Sequence, residues 1–304
     1  MSKIIRDLSP LNAREDMPTV VYVLKKLIAF FLIYFVSMVA AEGIVVLLHY
    51  FLGYDVLHGE MMGAQQMTLM KYYGYLVFLA VGLLYCRVVE KRSPETLGFN
   101  KNFFDYFIGM AIALALVSAS LAVLLSLGAV RAGGGSLHPD GGLITAFFFG
   151  FVIQGAMEET LCRGFLMTSL QKKGNTALAV LVSSLAFVLP HLPSLFGEGL
   201  VYGLIGTMNL LLISLIFSLL ALYRKNIWIA CGLHSFWNFL LFNVLGLNLS
   251  GAQAERTALL KLETDGATVL NGGAYGIEAS IVTTLVLSAF LLILKKRFDR
   301  RKGA

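Results

Sequence analysis

The stretch 143-LITAFFFGFVIQGAMEETLCRGFLMTSLQKK-173 begins as an uninterrupted apolar helix and then places Glu158, Glu159 and Arg163 where its pattern predicts Leu or Phe. A charged side chain at the bilayer centre costs about 2.5–3.5 kcal/mol on insertion scales. Glu159 and Arg163 are four residues apart and share a helix face, so we expect them to pair. Glu158 is rotated by about 100° from Glu159 and is left free to face something else. We therefore expect Glu158 to carry chemistry, with a structural ion pair plus one further Glu near the membrane surface as the alternative.

The composition is that of a membrane protein. Of the 304 residues, 58% are hydrophobic and only 14% are charged, against about 25% charged in soluble domains. Runs of about 20 apolar residues recur, which predicts an all-α, polytopic integral membrane protein with about eight transmembrane helices. The predicted organisation is a polar N-terminal arm (1–26), a membrane domain (27–294) and a basic tail (295–304), with spans at 27–48, 72–89, 104–128, 143–161, 176–192, 205–223, 227–246 and 277–294.

The distribution of Lys and Arg predicts the topology. If the N-terminus is cytoplasmic and the spans alternate, 20 of the 24 Lys and Arg residues fall in inside segments. This is a strong positive-inside bias, and it predicts that both termini are cytoplasmic. The net charge of +6 is then explained by topology and by contact with anionic lipid, so we expect the lipid bilayer and no nucleic acid as a partner.

Few polar residues lie deep in the predicted spans, and two of them are expected at the same depth in the membrane. Glu158 lies 16 residues before Gly174, the expected tip of a helical hairpin, and His191 lies 17 residues after it. At about 1.5 Å rise per residue, antiparallel neighbours bring these two side chains to nearly the same depth. His234 and Asn238 are four apart on a third span and share a face. We expect three helices to bring these four side chains together.

A carboxylate, two imidazoles and a carboxamide are the groups needed for hydrolysis. A desolvated carboxylate acts as a general base on water, a histidine helps to orient that water, and a His/Asn pair donates hydrogen bonds to an oxyanion. The same Glu158, His191 and His234 also match the ligand types of a zinc ion. No metal ligand or cofactor is assigned from the residues alone, and zinc stays an alternative. The three cysteines, Cys86, Cys162 and Cys231, fit no metal or redox spacing and are predicted to be buried.

Three motifs in this order resemble a known family. Glu158-Glu159-x-x-x-Arg163, Phe187-x-x-x-His191 and His234-x-x-x-Asn238 look like the motifs of the CPBP family, the type II CAAX prenyl endopeptidases and bacteriocin-processing (Abi) proteins. The resemblance covers about residues 80–246, and all three motifs are complete. Pro190 beside the histidine is a local variation.

The resemblance implies an eight-helix intramembrane endopeptidase that acts on a membrane-associated or lipidated protein or peptide. Glu158 and His191 would activate water, His234 and Asn238 would bind the oxyanion, and Glu159, Arg163 and Phe187 would support them. The family has also been described as metal-dependent. We expect cleavage near the cytoplasmic leaflet of a bacterial inner or plasma membrane, with substrate entering from the membrane or the cytoplasm. The alternatives are a non-catalytic scaffold or immunity protein of the same fold and a zinc-dependent protease. A repeat-built transporter is disfavoured because no internal repeat is found.

Overall fold

The chain is described by a computed structural model that covers residues 9, 11–133, 139–252 and 258–302. Parts of the predicted arm (1–8 and 10) and of the predicted tail (303–304) lie outside these residues. The described chain is almost entirely helical, with about 74% of the residues in helices and 3% in strands. The predicted all-α class is therefore confirmed.

Ten α-helices follow one another along the described chain. They are α1 (Thr19–Phe51), α2 (Ala64–Val88), α3 (Asp105–Ser126), α4 (Gly141–Glu159), α5 (Thr168–Gln171), α6 (Thr176–Val188), α7 (Leu192–Gly197), α8 (Leu200–Arg224), α9 (Trp228–Phe239) and α10 (Ile281–Lys302). Two π-helices, Thr160–Met167 and Leu240–Val244, continue α4 and α9. Short 3-10 helices lie at Val56–His58, Pro94–Leu97, Leu189–His191, Gly273–Tyr275 and Ile277–Ala279. The strands β1 (Val130–Ala132) and β2 (Leu262–Thr264) form one antiparallel pair.

Six stretches of the described chain are long and apolar enough to cross a membrane: Thr19–Phe51, Ala64–Val88, Asp105–Ser126, Gly141–Gln171, Thr176–Gly197 and Leu200–Arg224. They coincide with the first six predicted spans. The predicted seventh and eighth spans are helical too, at α9 with its π-helical extension and at α10. Helix α9 is short, and α10 carries several basic residues. An integral membrane protein is thus supported, while the number of eight spans stays a prediction.

Helix α1 begins at Thr19, whereas the first span is predicted to begin near residue 27. Lys25 and Lys26 therefore lie inside the helix, and both are buried. The Lys26 amine is 2.5 Å from Glu90 Oε1 in the connection after α2. A buried amine needs such a partner, and the sequence pattern alone did not reveal that the two segments meet.

Helix α9 lies at the centre of the molecule and packs closely against α3 and α4. Gly109 of α3 and Gly232 of α9 each face the backbone of the other helix so closely that an added Cβ would overlap a carbonyl oxygen. Gly155 of α4 likewise lies against Ser235 of α9. Small residues at helix crossings let backbones approach in membrane proteins. These contacts bring the C-terminal half of α4 beside the middle of α9.

Buried polar contacts join several segments at one end of the molecule, which we call the basic end (residues 11–26, 89–103, 168–176 and 224–228). The Lys173 amine donates to the carbonyl oxygens of Glu15 and Met17. Arg92, which is buried, donates from Nη2 to Thr168 Oγ1 at 2.7 Å and also to backbone carbonyls of the π-helix Thr160–Met167. The connections at the opposite end (52–63, 127–133, 192–199, 245–252 and 258–280) form what we call the loop end. Positive-inside topology predicts that the basic end is cytoplasmic.

Candidate active site

The two adjacent carboxylates lie where α4 changes from an α-helix to a π-helix. Glu159 is the last residue of α4, and the eight-residue π-helix Thr160–Met167 follows it with every residue buried. Asn238 lies in the last turn of α9, shortly before the second π-helix. Short π-helical segments occur frequently at functional sites because the wider turn changes which side chains face a neighbour. The π-helix after α4 thus begins directly after Glu159 and contains Arg163, and the π-helix after α9 begins shortly after Asn238.

Glu159 and Arg163 form the expected ion pair, and both side chains are fully buried. Arg163 Nη1 lies 3.0 Å from Glu159 Oε1. Arg163 Nη2 donates to the backbone and side-chain oxygens of Ser214 at 2.9 and 2.5 Å. The guanidinium carbon lies 4.9 Å from the centre of the Phe187 ring and 5.1 Å from that of Phe217. A buried charge pair is tolerated only when its remaining donors are also satisfied, and Ser214 supplies that.

His234 connects this pair to the second carboxylate. Its Nδ1 lies 3.1 Å from Glu159 Oε1, and its Nε2 lies 4.0 Å from Glu158 Oε2. The imidazole is stacked on Phe217, with 5.2 Å between ring centroids and 17° between planes. Because an ionised Glu159 only accepts hydrogen bonds, Nδ1 of His234 carries a proton in this arrangement. The Nε2 atom is then directed at Glu158.

Glu158 has a different environment from its neighbour, with 13% of its side chain exposed. Gln154, one turn earlier on α4, donates from Nε2 to Glu158 Oε1 at 3.2 Å. Asn238 donates from Nδ2 to Gln154 Oε1 at 3.0 Å. A chain of hydrogen bonds therefore runs from Asn238 through Gln154 to Glu158, which leaves Glu158 Oε2 available on the side of His234.

His191 reaches the site because the chain bends at Pro190. The α-helix α6 ends at Val188 and gives way to the 3-10 helix Leu189–His191, as expected for a proline that lacks an N–H group. His191 Nδ1 donates to the carbonyl oxygen of Phe187 at 2.9 Å. Since a carbonyl oxygen only accepts, the neutral ring has its free lone pair on Nε2.

A cavity of about 260 Å³ lies in front of Glu158. Its walls include Gln154, Glu158, His191 and Asn238, and the aromatic side chains of Phe30, Tyr34, Tyr72, Tyr75 and Phe187. A smaller adjoining cavity of about 40 Å³ is lined by His234 as well as by Gln154, His191 and Asn238. The four residues predicted from the sequence to converge therefore do so. The larger cavity also reaches Lys71 and, at the loop end, Leu249, Ser250 and Ala252.

Several residues of this region were missed by the sequence reasoning. Gln154 could have been identified from its spacing, since it is four residues before Glu158 on the same helix. Ser214 and Ser218 gave a weaker sequence signal, because they are two hydroxyl residues about one helical turn apart in an apolar span. Glu278 had none: it lines the smaller cavity from a connection after residue 276, and its Oε2 accepts from the backbone N–H of Ser250 at 2.8 Å and from its hydroxyl at 3.0 Å.

The geometry also bears on the zinc alternative. Among the residues that the structure describes, no three His, Cys, Asp or Glu side chains are grouped so as to hold a metal ion. The Glu158 and His234 atoms that face each other are 4.0 Å apart, whereas two ligands of one tetrahedral zinc are about 3.4 Å apart. Zinc held by Glu158, His191 and His234 stays an alternative.

Comparison with known proteins gives one match. Residues 140–240 match the family described as type II CAAX prenyl endopeptidase, Rce1-like. No curated protein and no solved structure matches the chain. The matched segment begins at Asp140, which caps α4, and ends just after Asn238, so it contains all three motifs. The match confirms the resemblance that the motifs indicated: residues 140–240 are similar to the Rce1-like type II CAAX prenyl endopeptidases, a protease family.

Proposed function

We propose that the chain is an intramembrane endopeptidase that hydrolyses a peptide bond of a membrane-associated or lipidated protein or peptide. Glu158 and His191 activate the attacking water, and His234 and Asn238 stabilise the oxyanion. Glu159, Arg163 and Phe187 support them by holding His234 and the adjoining helices. The observation that carries this proposal is the position of Glu158, whose carboxylate lines a cavity together with His191 and Asn238 while its neighbour Glu159 is fully buried.

Water activation rests on two proton acceptors. Glu158 Oε2 has no competing donor nearer than His234 Nε2 at 4.0 Å among the described residues. His191 has its Nε2 lone pair free, because its Nδ1–H is donated to Phe187. A water between these groups gives one proton to an acceptor as its oxygen attacks the carbonyl carbon of the substrate. The same proton passes to the leaving nitrogen when the C–N bond breaks.

Oxyanion stabilisation requires donors on the opposite side of that carbonyl. The Asn238 amide nitrogen carries two N–H groups, one of which is used by Gln154, so the other is available to the substrate. His234 already donates from Nδ1 to Glu159. It donates from Nε2 as well only when the ring carries both protons. The oxyanion role of His234 therefore requires an imidazolium.

The proposal is tested by comparing peptide ends in membranes and medium of cells that carry wild type or Glu158→Gln at equal expression. New ends that appear only with wild type support proteolysis and identify the substrate. The matched control is Glu42→Gln, which changes an exposed carboxylate on α1 and is expected to leave the end profile of wild type unchanged. Identical profiles for wild type and Glu158→Gln, with a binding partner recovered on both, would favour the scaffold alternative instead.

The zinc-dependent alternative has its own test. The purified protein is analysed for metal content as wild type and as His234→Ala. We expect no stoichiometric zinc in either. Stoichiometric zinc in wild type that is lost in His234→Ala would contradict the metal-free mechanism.

The wider context of the enzyme is also a proposal. Positive-inside topology supports a multi-pass membrane protein with both termini in the cytoplasm, and we place it in a bacterial inner or plasma membrane as part of the proposal. The domain division we favour is an N-terminal arm (1–26), one membrane domain (27–294) with the motif core at about 80–246, and a basic tail (295–304).

A further inference from the structure

The smaller cavity contains a carboxylate that the proposed mechanism does not use. Glu278 lines this cavity together with His234 and Asn238, the two residues proposed to bind the oxyanion. Its Oε2 atom accepts from the backbone N–H of Ser250 at 2.8 Å and from the Ser250 hydroxyl at 3.0 Å. Among the described residues, its Oε1 atom has no hydrogen-bond partner and the side chain forms no ion pair. This oxygen is not fully enclosed either, so it faces the space of the cavity.

The Glu278 carboxylate is held in place from two directions. Asn209 of α8 donates from Nδ2 to the backbone carbonyl oxygen of Glu278 at 2.8 Å. Ser250 belongs to the tight turn Leu249–Ala252, whose two end residues exchange backbone hydrogen bonds at 2.9 and 2.8 Å. The carboxylate is therefore a positioned group at one end of the cavity and not a mobile surface side chain.

The other walls of the smaller cavity are mostly apolar. They include Leu210, Ile213 and Phe217 of α8, Trp237 of α9 and Leu287 of α10. The volume of about 40 Å³ has space for about three water-sized groups. A narrow apolar passage that ends at a carboxylate suits an aliphatic stem with a positive charge at its tip.

The separation between Glu278 and the oxyanion residues follows from the helices that carry them. His234 is stacked on Phe217, and Asn209, which binds the Glu278 backbone, lies eight residues before Phe217 on α8. This separation is about 12 Å at a rise of about 1.5 Å per residue. Helix α9 runs back from the short connection after α8, so Asn238 lies about 6 Å nearer to Glu278 than His234 does. A Lys side chain, which spans about 6 Å from Cα to Nζ, bridges such a distance.

An unpaired carboxylate in this position favours a cationic ligand. A partly buried carboxylate loses hydration, and a cation that pairs with it offsets that loss. No Lys or Arg of the described chain pairs with Glu278. A basic side chain of the substrate would supply the missing cation, and its stem would cover the apolar walls.

We propose that the smaller cavity is a subsite for a cationic side chain, that of Lys or Arg, on a residue next to the cleaved bond, and that Glu278 binds it. This inference rests on the proposed function for the bond that is cleaved. It makes Glu278 a substrate-binding residue and leaves water activation to Glu158 and His191. An apolar side chain at the same position leaves Glu278 unpaired and is therefore disfavoured.

The preference is tested with purified protein in vesicles of phosphatidylcholine, which carries no net charge to attract cationic peptides. Apolar peptides of one length carry a single Lys, or norleucine in its place, at successive positions. For wild type we expect cleavage beside the Lys, about 10- to 100-fold faster than cleavage of the norleucine peptide, as suits a hydrogen bond between charged groups. Equal cleavage of both peptides, or a Lys preference only at positions away from the cleaved bond, would overturn the subsite.

Glu278→Gln separates the charge from the contact with Ser250. A glutamine oxygen still accepts from both donors of Ser250, whereas the negative charge is lost. We expect the Lys peptide to be cleaved as slowly as the norleucine peptide, and the norleucine peptide to keep its wild-type rate. Glu278→Asp should retain part of the Lys preference, and Ser250→Ala should retain most of it. If Glu278→Gln slows both peptides equally, Glu278 only fixes the turn and the proposal fails.

Binding reports on the subsite without cleavage. Fluorescence anisotropy of labelled peptides gives their dissociation constants for Glu158→Gln, which also removes the other cavity carboxylate that a Lys could reach. We expect the Lys peptide to bind this variant about tenfold more tightly than the norleucine peptide. The double variant Glu158→Gln with Glu278→Gln should bind both peptides alike. Equal binding of the two peptides to the single variant would contradict the proposal.

The two measurements separate this inference from the proposed function. If wild type cleaves neither peptide while the Lys peptide binds more tightly in a way that depends on Glu278, the proposed proteolysis fails and the subsite stands. If wild type cleaves both peptides at one rate and binding is also equal, the subsite fails and proteolysis stands.

Discussion

Two regions that begin one residue apart on α4 show opposite ways of placing a carboxylate inside a membrane protein. The buried region around Glu159 pairs the acid with Arg163 and with Nδ1 of His234, and none of its side chain is exposed. The cavity region around Glu158 leaves one carboxylate oxygen facing open space, with Gln154 holding the other. Burial in an ion pair suits a structural role, while partial exposure beside a cavity suits proton transfer.

The largest effect that we expect from this comparison is on activity. Glu158→Gln removes the proposed base while it keeps the size of the side chain, so cleavage should fall by about 10²–10⁴-fold. The thermal unfolding midpoint in detergent should stay within about 2 °C of wild type, because the side chain is partly exposed and lacks an ion pair with Arg or Lys. A variant that cleaves at more than a tenth of the wild-type rate would contradict the role of Glu158.

The second effect is on stability. Arg163→Met leaves Glu159 as a buried carboxylate without its cation, which should lower the free energy of unfolding by about 3–5 kcal/mol. Unfolding in detergent, followed by circular dichroism, measures this loss. The matched double variant Glu159→Gln with Arg163→Met removes both charges and should recover most of it. Equal stability of Arg163→Met and wild type would show that Glu159 is not held as an ion pair.

The smallest effect concerns the link between the cavity and α9. Gln154→Met keeps the volume of the side chain but removes the hydrogen bonds to Glu158 and Asn238. We expect the catalytic rate to fall about tenfold, because a hydrogen bond to a charged group is lost, with little change in the unfolding midpoint. Gln154→Glu is the sharper comparison, since a second negative charge beside Glu158 should impair activity more than Met does. Unchanged rates for both variants would exclude Gln154 from positioning Glu158.

Several features of the fold could be predicted from the sequence, because they depend on residues that are close along the chain. The pairing of Glu159 with Arg163 follows from a four-residue spacing, and the bend at Pro190 follows from a missing N–H group. The turn at Gly174 was also predicted, and there the structure has a φ of 77° at Gly174 while Asn175 caps α6 by accepting from the Leu178 N–H at 2.9 Å. The number of spans did not follow from the sequence, because apolar length alone does not distinguish a helix that crosses the membrane from a short buried one.

The contacts of His234 could not be predicted from the sequence. The sequence indicated a His/Asn pair on one helix face, but it did not indicate that Nδ1 of His234 would meet Glu159 rather than Glu158. That choice depends on the close approach of α4 and α9 at Gly155 and on the π-helix that follows Glu159. The position of Glu278 beside the same site depends on the long connection between α9 and α10.

The sequence by itself determined that this chain forms apolar helices, that its positive charge is concentrated in alternate connections, and that one acid of the adjacent pair would be matched by Arg163. These are properties of spacing and composition, which act over one or two helical turns or over a whole segment. Only the tertiary structure decided which groups surround Glu158, which nitrogen of His234 is held by Glu159, and which residues line the cavity in front of Glu158. Those outcomes depend on the distances at which separate helices pack, and no local pattern encodes them.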